Sequence, residues 1–414
     1  MRIAVIGAGA AGCFSAIELK RRLPDASICI YEAGKTPLAK VAITGGGRCN
    51  LTNSFAAIDN LAKAYPRGER LMKRALSAFS NEDVWKWFEK EGVRLVLQDD
   101  NCVFPKSQDA MQIVRTLTGL LRRLGVGIKT EHKVMSLDPG FRISFADGTE
   151  AEADKVIVTT GGSKSFPFLQ NLGLEIVQPV PSLFTFNIDS PIKELMGTVV
   201  ENVSVSIPGT RFKAEGPLLI TDWGMSGPAI LKLSSYAARY LADNGYKTEI
   251  SVNWLDSTAE QAKAFLDSTA AQNQRRQLSS VRPDALPARL WDHIIAQAGL
   301  DPVRKWAELG RKGLNRLAET LTGDIYEMTG KGRFKDEFVT CGGVSLSEIN
   351  ISTMESKKHP GLYFAGEVLD IDAITGGFNL QAAWSTGYVA AVSAATAAGI
   401  SSAARRYVPC RQNN

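Results

Sequence analysis

Residues 2–32 constrain the fold more than any other part of the chain. Arg2-Ile3-Ala4-Val5-Ile6 is a short apolar strand that runs into Gly7-Ala8-Gly9-Ala10-Ala11-Gly12. A helical pattern, Cys13 to Arg22, follows directly. A second apolar strand, Ser27-Ile28-Cys29-Ile30-Tyr31, ends at Glu32, twenty residues after Gly12. Strand, glycine turn, helix, strand and terminal acid together form the βαβ dinucleotide fingerprint in its full context. Gly7 permits the tight turn, Gly9 lets backbone approach a pyrophosphate, and Gly12 lets the helix pack closely on the strand. The helix start offers unpaired N–H groups and a positive dipole end to phosphate. Glu32 can accept from both ribose hydroxyls and would repel a 2′-phosphate, which argues against NADP here. Ala8, Ala11 and Ala33 belong to the same candidate contact set.

The remaining composition excludes several classes. The length of 414 residues suggests two or three domains. The net charge of +5 comes without a dense Lys/Arg run, so no nucleic-acid partner is expected. Cys13, Cys29, Cys49, Cys102, Cys341 and Cys410 show no metal-ligand spacing, and only His132, His293 and His359 are histidines. No metal site and no hydrolase triad are therefore expected. Scattered cysteines fit a reducing cytoplasm. No apolar stretch spans a bilayer, and the apolar N-terminus runs into the glycine turn rather than a signal-peptide cleavage site. No membrane partner is expected.

Along the chain the periodicity changes twice. Lys133 to Ser136 and Phe141 to Phe145 read as strands around the turn Ala146-Asp147-Gly148-Thr149, and Val134 joins the candidate contacts. Ala153 to Gly162 is a buried strand ending in a glycine turn. Gly361 to Glu367 is another, leading through Gly376-Gly377-Phe378-Asn379 into a helix from Leu380 to Ala398. Between them, Leu183 to Ile188, Val199 to Ile207, Pro217 to Thr221 and Thr248 to Trp254 read as β segments. Ala259 to Ser268, Pro287 to Ala298, Val303 to Arg311 and Leu314 to Leu321 read as helices. Leu71 to Glu91 reads as a separate helical stretch whose Trp85, Trp87 and Phe88 are core residues. The expected class is α/β with inserted β and α subdomains. A discontinuous nucleotide domain (1–180 and 339–414) would enclose a β substrate domain (181–255 and 322–338) and a helical insert (256–321).

The late glycine-ending strands favour a flavin over NAD. Val156 to Gly162, with Thr160 and Gly161, resembles the Thr-Gly strand end that lies near the flavin in two-dinucleotide flavoproteins. Tyr363 to Asp370 resembles their Gly-Asp strand end, with Gly366-Glu367 in place of Gly-Asp and Asp370 three residues on. Either Glu367 or Asp370 could be the cofactor-side acid. A helix starting near Leu380 can aim N–H groups at the flavin N1/O2 edge, where negative charge develops on reduction. Gly377, Asn379, Leu380 and Gln381 are candidates by position. The second sharp feature is Thr44-Gly45-Gly46-Gly47-Arg48-Cys49-Asn50-Leu51-Thr52-Asn53. Gly46 and Gly47 offer close backbone approach, Arg48 a fixed charge, and Asn50 and Asn53 donors and acceptors, with Thr44 and Cys49 beside them. Cys49 lacks a partner cysteine for dithiol chemistry.

These segments, with Ile220 to Leu231 and Phe338 to Gly387, resemble a three-domain bacterial flavoprotein family over essentially the whole chain. That family includes enzymes named aminoacetone oxidase and bile-acid 3-dehydro-Δ4,6-reductase. The resemblance implies non-covalent FAD in a glutathione-reductase-like Rossmann domain, a β-barrel-like second domain and a small helical third domain. The expected activity is an FAD-dependent oxidoreductase moving hydride between flavin N5 and a small organic substrate at the junction of the FAD and β domains. NAD(P)H or O2 would serve the other half-reaction. No second complete GxGxxG occurs, so any nicotinamide binds transiently. Ser226, Tyr326 and Thr340 are substrate-side candidates because they fall in or beside family-like motifs, and no general acid or base stands out. Two other readings compete: a fumarate-reductase-like ene-reductase, which needs a His/Arg cluster, and a non-enzymatic FAD-binding redox sensor or scaffold.

Overall fold

The computed structural model describes residues 1–332 and 339–397. It divides into two compact units, residues 1–179 with the chain from 340, and residues 180–339. The expected helix end at Ala398, Cys410 and part of the expected 322–338 segment lie outside the described residues.

The first unit is built on a seven-stranded sheet. Strand β1 (Arg2–Ile6) leads into helix α1 (Ala10–Arg22) and strand β2 (Ser27–Tyr31). Strands β3 (Gly127–Lys129), β4 (Lys155–Val158) and β5 (Leu362–Phe364) complete a parallel core in the order β5-β4-β1-β2-β3. Two short antiparallel strands, Ile349–Asn350 and Glu355–Ser356, extend the β5 edge. Ile3 to Ile6 and Val156 to Val158 are buried, as a sheet covered on both faces requires. Because the core strands are parallel, Ile6, Tyr31, Val158 and Phe364 all end at one edge of the sheet, where open α/β sheets place their ligands.

Helix α1 packs against helix α2 (Phe378–Thr396) through small residues. A Cβ at Gly387 would sit 3.0 Å from Ser15 Oγ and 3.1 Å from the Ala11 carbonyl oxygen. Ser15 Oγ instead donates to Ala11 O (2.6 Å) and Gly387 O (3.1 Å), which joins the two helices at close range. The Ala/Gly/Ser-rich composition of α2 serves this packing.

The helical stretch expected over 71–91 is made of two helices, Glu69–Ala78 and Asn81–Lys90. Ser80 breaks the run. Its hydroxyl accepts from the Asp83 N–H, and the Asp83 carboxylate accepts from the Ser80 N–H in return. Trp87 and Phe88 are buried, and Trp87 Nε1 donates to Glu18 Oε1 (2.9 Å).

The second unit contains a closed six-stranded barrel. Around it run Phe186–Ile188, Gly224–Ser226, Lys213–Thr221, Val199–Ser206, Thr248–Asn253 and Asp324–Lys331, the last pairing back to the first. The helical stretch does not separate as a third unit. Leu266, Leu290, Trp291, Ile294, Leu317 and Leu321 share one buried cluster with barrel residues such as Val203, Ile220 and Val252. The stretch expected as helix over 303–311 is a short 3-10 turn, Trp306–Glu308, ahead of Gly310–Gly323. Among the described residues, no helix is long and apolar enough to cross a membrane, and no cluster of three or more His, Cys, Asp or Glu could hold a metal.

Candidate functional site

Gly7, Glu32, Thr160, Gly161, Gly366 and Glu367 lie just past the ends of β1, β2, β4 and β5. Gly7 takes φ +105°, and a Cβ there would stand 2.6 Å from the Thr159 carbonyl oxygen. A Cβ at Gly12 would collide with the Gly7 carbonyl oxygen and stand 2.5 Å from Thr159 Oγ1. Both glycines are therefore required by internal packing. Gly9 differs: nothing lies within 4 Å of where its Cβ would sit. Thr159, which sequence reasoning passed over, pins the turn by donating from Oγ1 to Gly7 O (2.9 Å) and Ile6 O (3.0 Å). Gly9 is also the N-cap of α1. No side chain caps that helix start and no acid occupies its first turn, so its positive end is open to an anion.

Glu32 ends β2 as expected. Its Oε2 accepts from the Ala8 N–H and its Oε1 from the Gly34 N–H, both at 2.7 Å. Each oxygen keeps a second lone pair for a ribose hydroxyl. Ala33 is exposed beside it, and Val134 is half-buried opposite Phe145 in the hairpin that follows β3.

Beyond β4, Thr160 is exposed and Gly161 takes φ +71°. Glu367 lies against this turn: a Cβ at Gly162 would be 2.7 Å from its Oε1. That oxygen accepts from the Thr340 N–H (2.7 Å), while Oε2 is 3.7 Å from Lys40 Nζ. Glu367 thus bonds Thr340 and packs beside the glycine turn, and Asp370 is half-buried three residues on. Gly366 (φ +76°) brings β5 against α1, where a Cβ would reach within 3.0 Å of Ala11 Cβ.

The 44–53 segment is a glycine loop closed by side chains. The helix from Ala39 breaks at Thr44 (ψ 148°), and Gly45, Gly46 and Gly47 all take positive φ. Where Cβ atoms of Gly46 and Gly47 would sit there is open space. Arg48 is exposed, with its guanidinium 4.5 Å from the Phe104 ring and Nε donating to Gly45 O (3.1 Å). Cys49 is fully buried, and burial pushes its thiol up to about 12. Burial and the raised pKa both disfavour the thiolate, which is the form that acts as a redox nucleophile.

The amide candidates hold backbone in place. With its amide turned so that oxygen faces donor and nitrogen faces acceptor, Asn50 donates to Thr52 O (3.0 Å) and accepts from the Gly377 N–H (3.2 Å). Asn53 Nδ2 donates to Gly376 O (3.0 Å). Asn379 bonds both N–H and C=O of Ala373 at 3.0 Å. Gln381 is fully buried, accepting from Thr52 Oγ1 and donating to Ser385 Oγ (2.8 Å). Tyr65 OH donates to Phe378 O (2.9 Å), and Arg67 pairs with the buried Asp372, two further braces that sequence reasoning missed. The start of α2 is thereby fixed. Its N-cap is Gly377, no side chain caps it, and no acid lies in its first turn. Leu380, in that first turn, is half-buried.

The three substrate-side candidates are not alike. Thr340 lies in the first unit, beside Gly162 and Glu367. Ser226 ends a barrel strand and is half-buried. Tyr326 is buried in the second unit's core with its hydroxyl on Asp324 Oδ2 (2.5 Å), so its polar atom is spent internally.

The glycine turn, the acid and the α1 start lie at the strand ends, where open α/β sheets take their ligands, and nothing stands within 4 Å of where Cβ atoms of Gly9, Gly46 and Gly47 would sit. The chain belongs to the HI0933-like family: the model described as the HI0933-like protein Rossmann domain matches residues 1–393. It is an FAD-dependent oxidoreductase. It is 31% identical to the 3-dehydro-bile acid delta(4,6)-reductase of Clostridium scindens, covering 95% of this chain and 99% of that protein. It is 29% identical to the ribosomal RNA dihydrouridine synthase of Escherichia coli, covering 94% and 96%. The solved 3-ketosteroid-delta4-(5alpha)-dehydrogenase of Rhodococcus jostii overlaps at a TM-score of 0.49 with 14% identity, covering 95% of this chain and 96% of that one. The relative named for ribosomal RNA reopens the nucleic-acid partner that the modest net charge argued against.

Proposed function

We propose that the chain reduces a carbon–carbon double bond conjugated to a carbonyl in a small organic substrate, with NAD(P)H as transient electron donor. The observation that carries this reading is the braced, uncapped start of α2. Asn50, Asn53, Tyr65 and Asn379 hold the backbone around it, so its partial positive charge is fixed in place. Bound FAD supplies a two-electron carrier that accepts and releases hydride. Donors fixed before reaction stabilise developing negative charge without reorganising. The α1 start and the Gly7–Gly12 turn would hold the pyrophosphate, Glu32 the ribose, and the Gly45–Arg48 loop, Gly161 and the α2 start the flavin half. The Glu367–Thr340 hydrogen bond would hold the neighbouring glycine turn in register.

The names of two relatives agree with this reaction class. A delta(4,6)-reductase acts on ring double bonds, and a dihydrouridine synthase makes the dihydro form of uridine. A dicarboxylate reductase is less well supported, since no two histidines share a partner: His132 bonds Thr130 O, His293 approaches Tyr326, and His359 bonds Leu172 O. The test is anaerobic incubation of the flavin-loaded protein and NAD(P)H with conjugated enones, uridine, fumarate and primary amines. The expected product is the enone or uracil ring carrying two added hydrogens, with one NAD(P)H consumed per double bond. Amine oxidation on admitting O2, without enone or uridine reduction, would overturn the proposal.

A further inference from the structure

We propose that the helical part of the second unit carries a docking surface for the phosphate backbone of structured RNA. Residues 273–316 contain nine Lys and Arg against four Asp and Glu, so this segment alone has the +5 net charge of the whole chain. The rest of the chain is balanced. Arg275, Arg276, Arg304, Lys305, Arg311 and Lys312 are all exposed. Among the described residues, none of their side-chain nitrogens lies within 4.0 Å of a carboxylate, and the nearby Glu308 carboxylate accepts instead from the Lys305 backbone N–H (3.3 Å).

The fold brings these charges together. Segments 274–279 and 302–307 run antiparallel as an irregular ribbon. Leu278 N–H donates to Arg304 O (2.9 Å), Trp306 N–H to Arg276 O (3.0 Å) and Ala307 N–H to Gln274 O (3.2 Å), and Gln277 bridges Lys305. Two basic pairs distant in sequence thus meet on one ribbon. Helix Gly310–Gly323 starts three residues beyond Ala307 and adds Arg311 and Lys312. Beneath the ribbon, Trp291 and Trp306 are buried with ring centroids 6.5 Å apart, and Trp291 Nε1 donates to Leu278 O (2.9 Å). The platform is anchored in the core, so the charges have a fixed footing.

The chemistry selects the partner. Four of the six residues are arginines, whose planar forks match phosphate. Stable seating on a membrane takes an apolar face beside the charge, yet Val303 is the one exposed large hydrophobic residue among residues 273–316. Duplex DNA is read by a helix or a projecting two-stranded ribbon entering the major groove, and this ribbon lies flush on the core through the buried Leu278 and Trp306. Here helices Ala288–Gln297 and Gly310–Gly323 bury Trp291, Ile294, Leu317 and Leu321 in the core, so neither stands clear. An exposed, arginine-rich ribbon suits the shape-read backbone of folded RNA.

The flavin-loaded, full-length protein would be titrated into a fluorescein-labelled RNA hairpin, following anisotropy across about 50–200 mM salt. Parallel arms would use a DNA duplex of the same sequence, polyglutamate, and phosphatidylserine–phosphatidylcholine vesicles. Salt-dependent RNA binding, tighter than in every other arm, is expected. The triple variant R275E/R304E/K305E should weaken it by about tenfold or more and reduce the salt slope by about 1 per residue. A charge-matched variant on another exposed face, R70E/K73E/R74E, should bind like the wild type. The flavin content and melting temperature of both variants report folding. Absence of RNA binding, equal loss in both variants, or tighter binding to DNA, polyglutamate or vesicles would overturn the proposal. The measurement involves no turnover, so its outcome is independent of the double-bond chemistry.

Discussion

At the scale of single residues, the three glycines of the first turn have separable roles. Gly12 is surrounded by protein and Gly9 faces open space. Gly12→Ala should cost roughly 1–3 kcal/mol by overpacking, seen as a lowered melting temperature in flavin-stripped protein. Gly9→Ala should leave that melting temperature unchanged and lower the flavin-to-protein absorbance ratio after gel filtration. The reverse pattern would contradict the assignment. This division was legible in sequence because it follows from spacing alone. Cys49 gives a pH prediction. Its folded pKa is raised from 9.0 to about 12 by burial. The stability it contributes is therefore fully present below pH 9 and lost as pH climbs toward about 12. Melting curves across that window should fall less steeply for Cys49→Ala than for wild type, and turnover at neutral pH should survive the substitution.

At the scale of elements, the βαβ start and the glycine-ending strands were readable because their signals are local. The residues that brace them were not. Gln381 meets Thr52 across 329 positions, and both are buried. Asn50 and Asn53 read as free donors, yet they grip Gly377 and Gly376. No local pattern encodes such pairings. The break at Ser80 was readable in principle, since Ser80-x-x-Asp83 is a capping box, but the apolar period on either side masked it. Removing one partner of a buried hydrogen bond costs about 1–3 kcal/mol. Thr52→Val and Gln381→Leu should each fall in that range by denaturant unfolding. The double variant should cost less than the sum, because both single changes break one bond. Strict additivity would show that the bond does not hold the loop to α2.

At the scale of the whole molecule, the change of periodicity near residue 258 suggested a separate helical domain. Helices and barrel instead share one core, with Trp291 and Ile294 in the same cluster as Val203 and Val252. Periodicity reports which face of an element is apolar but not what covers it. Replacing 259–321 by a short Gly/Ser linker should strip the barrel of that cover and abolish cooperative unfolding of the second unit in calorimetry. A soluble variant with an unchanged transition would contradict the shared core. The strand-end site and the family membership support the proposal that reduced flavin in this protein delivers hydride to a conjugated double bond. The most direct measurement is anaerobic stopped-flow mixing of the reduced protein with a conjugated enone, with uridine, and with their saturated counterparts. Rapid return of the oxidised flavin spectrum with at least one unsaturated compound, and none with its saturated counterpart, is the predicted result. Reoxidation by O2 alone, with every unsaturated compound inert, would contradict it.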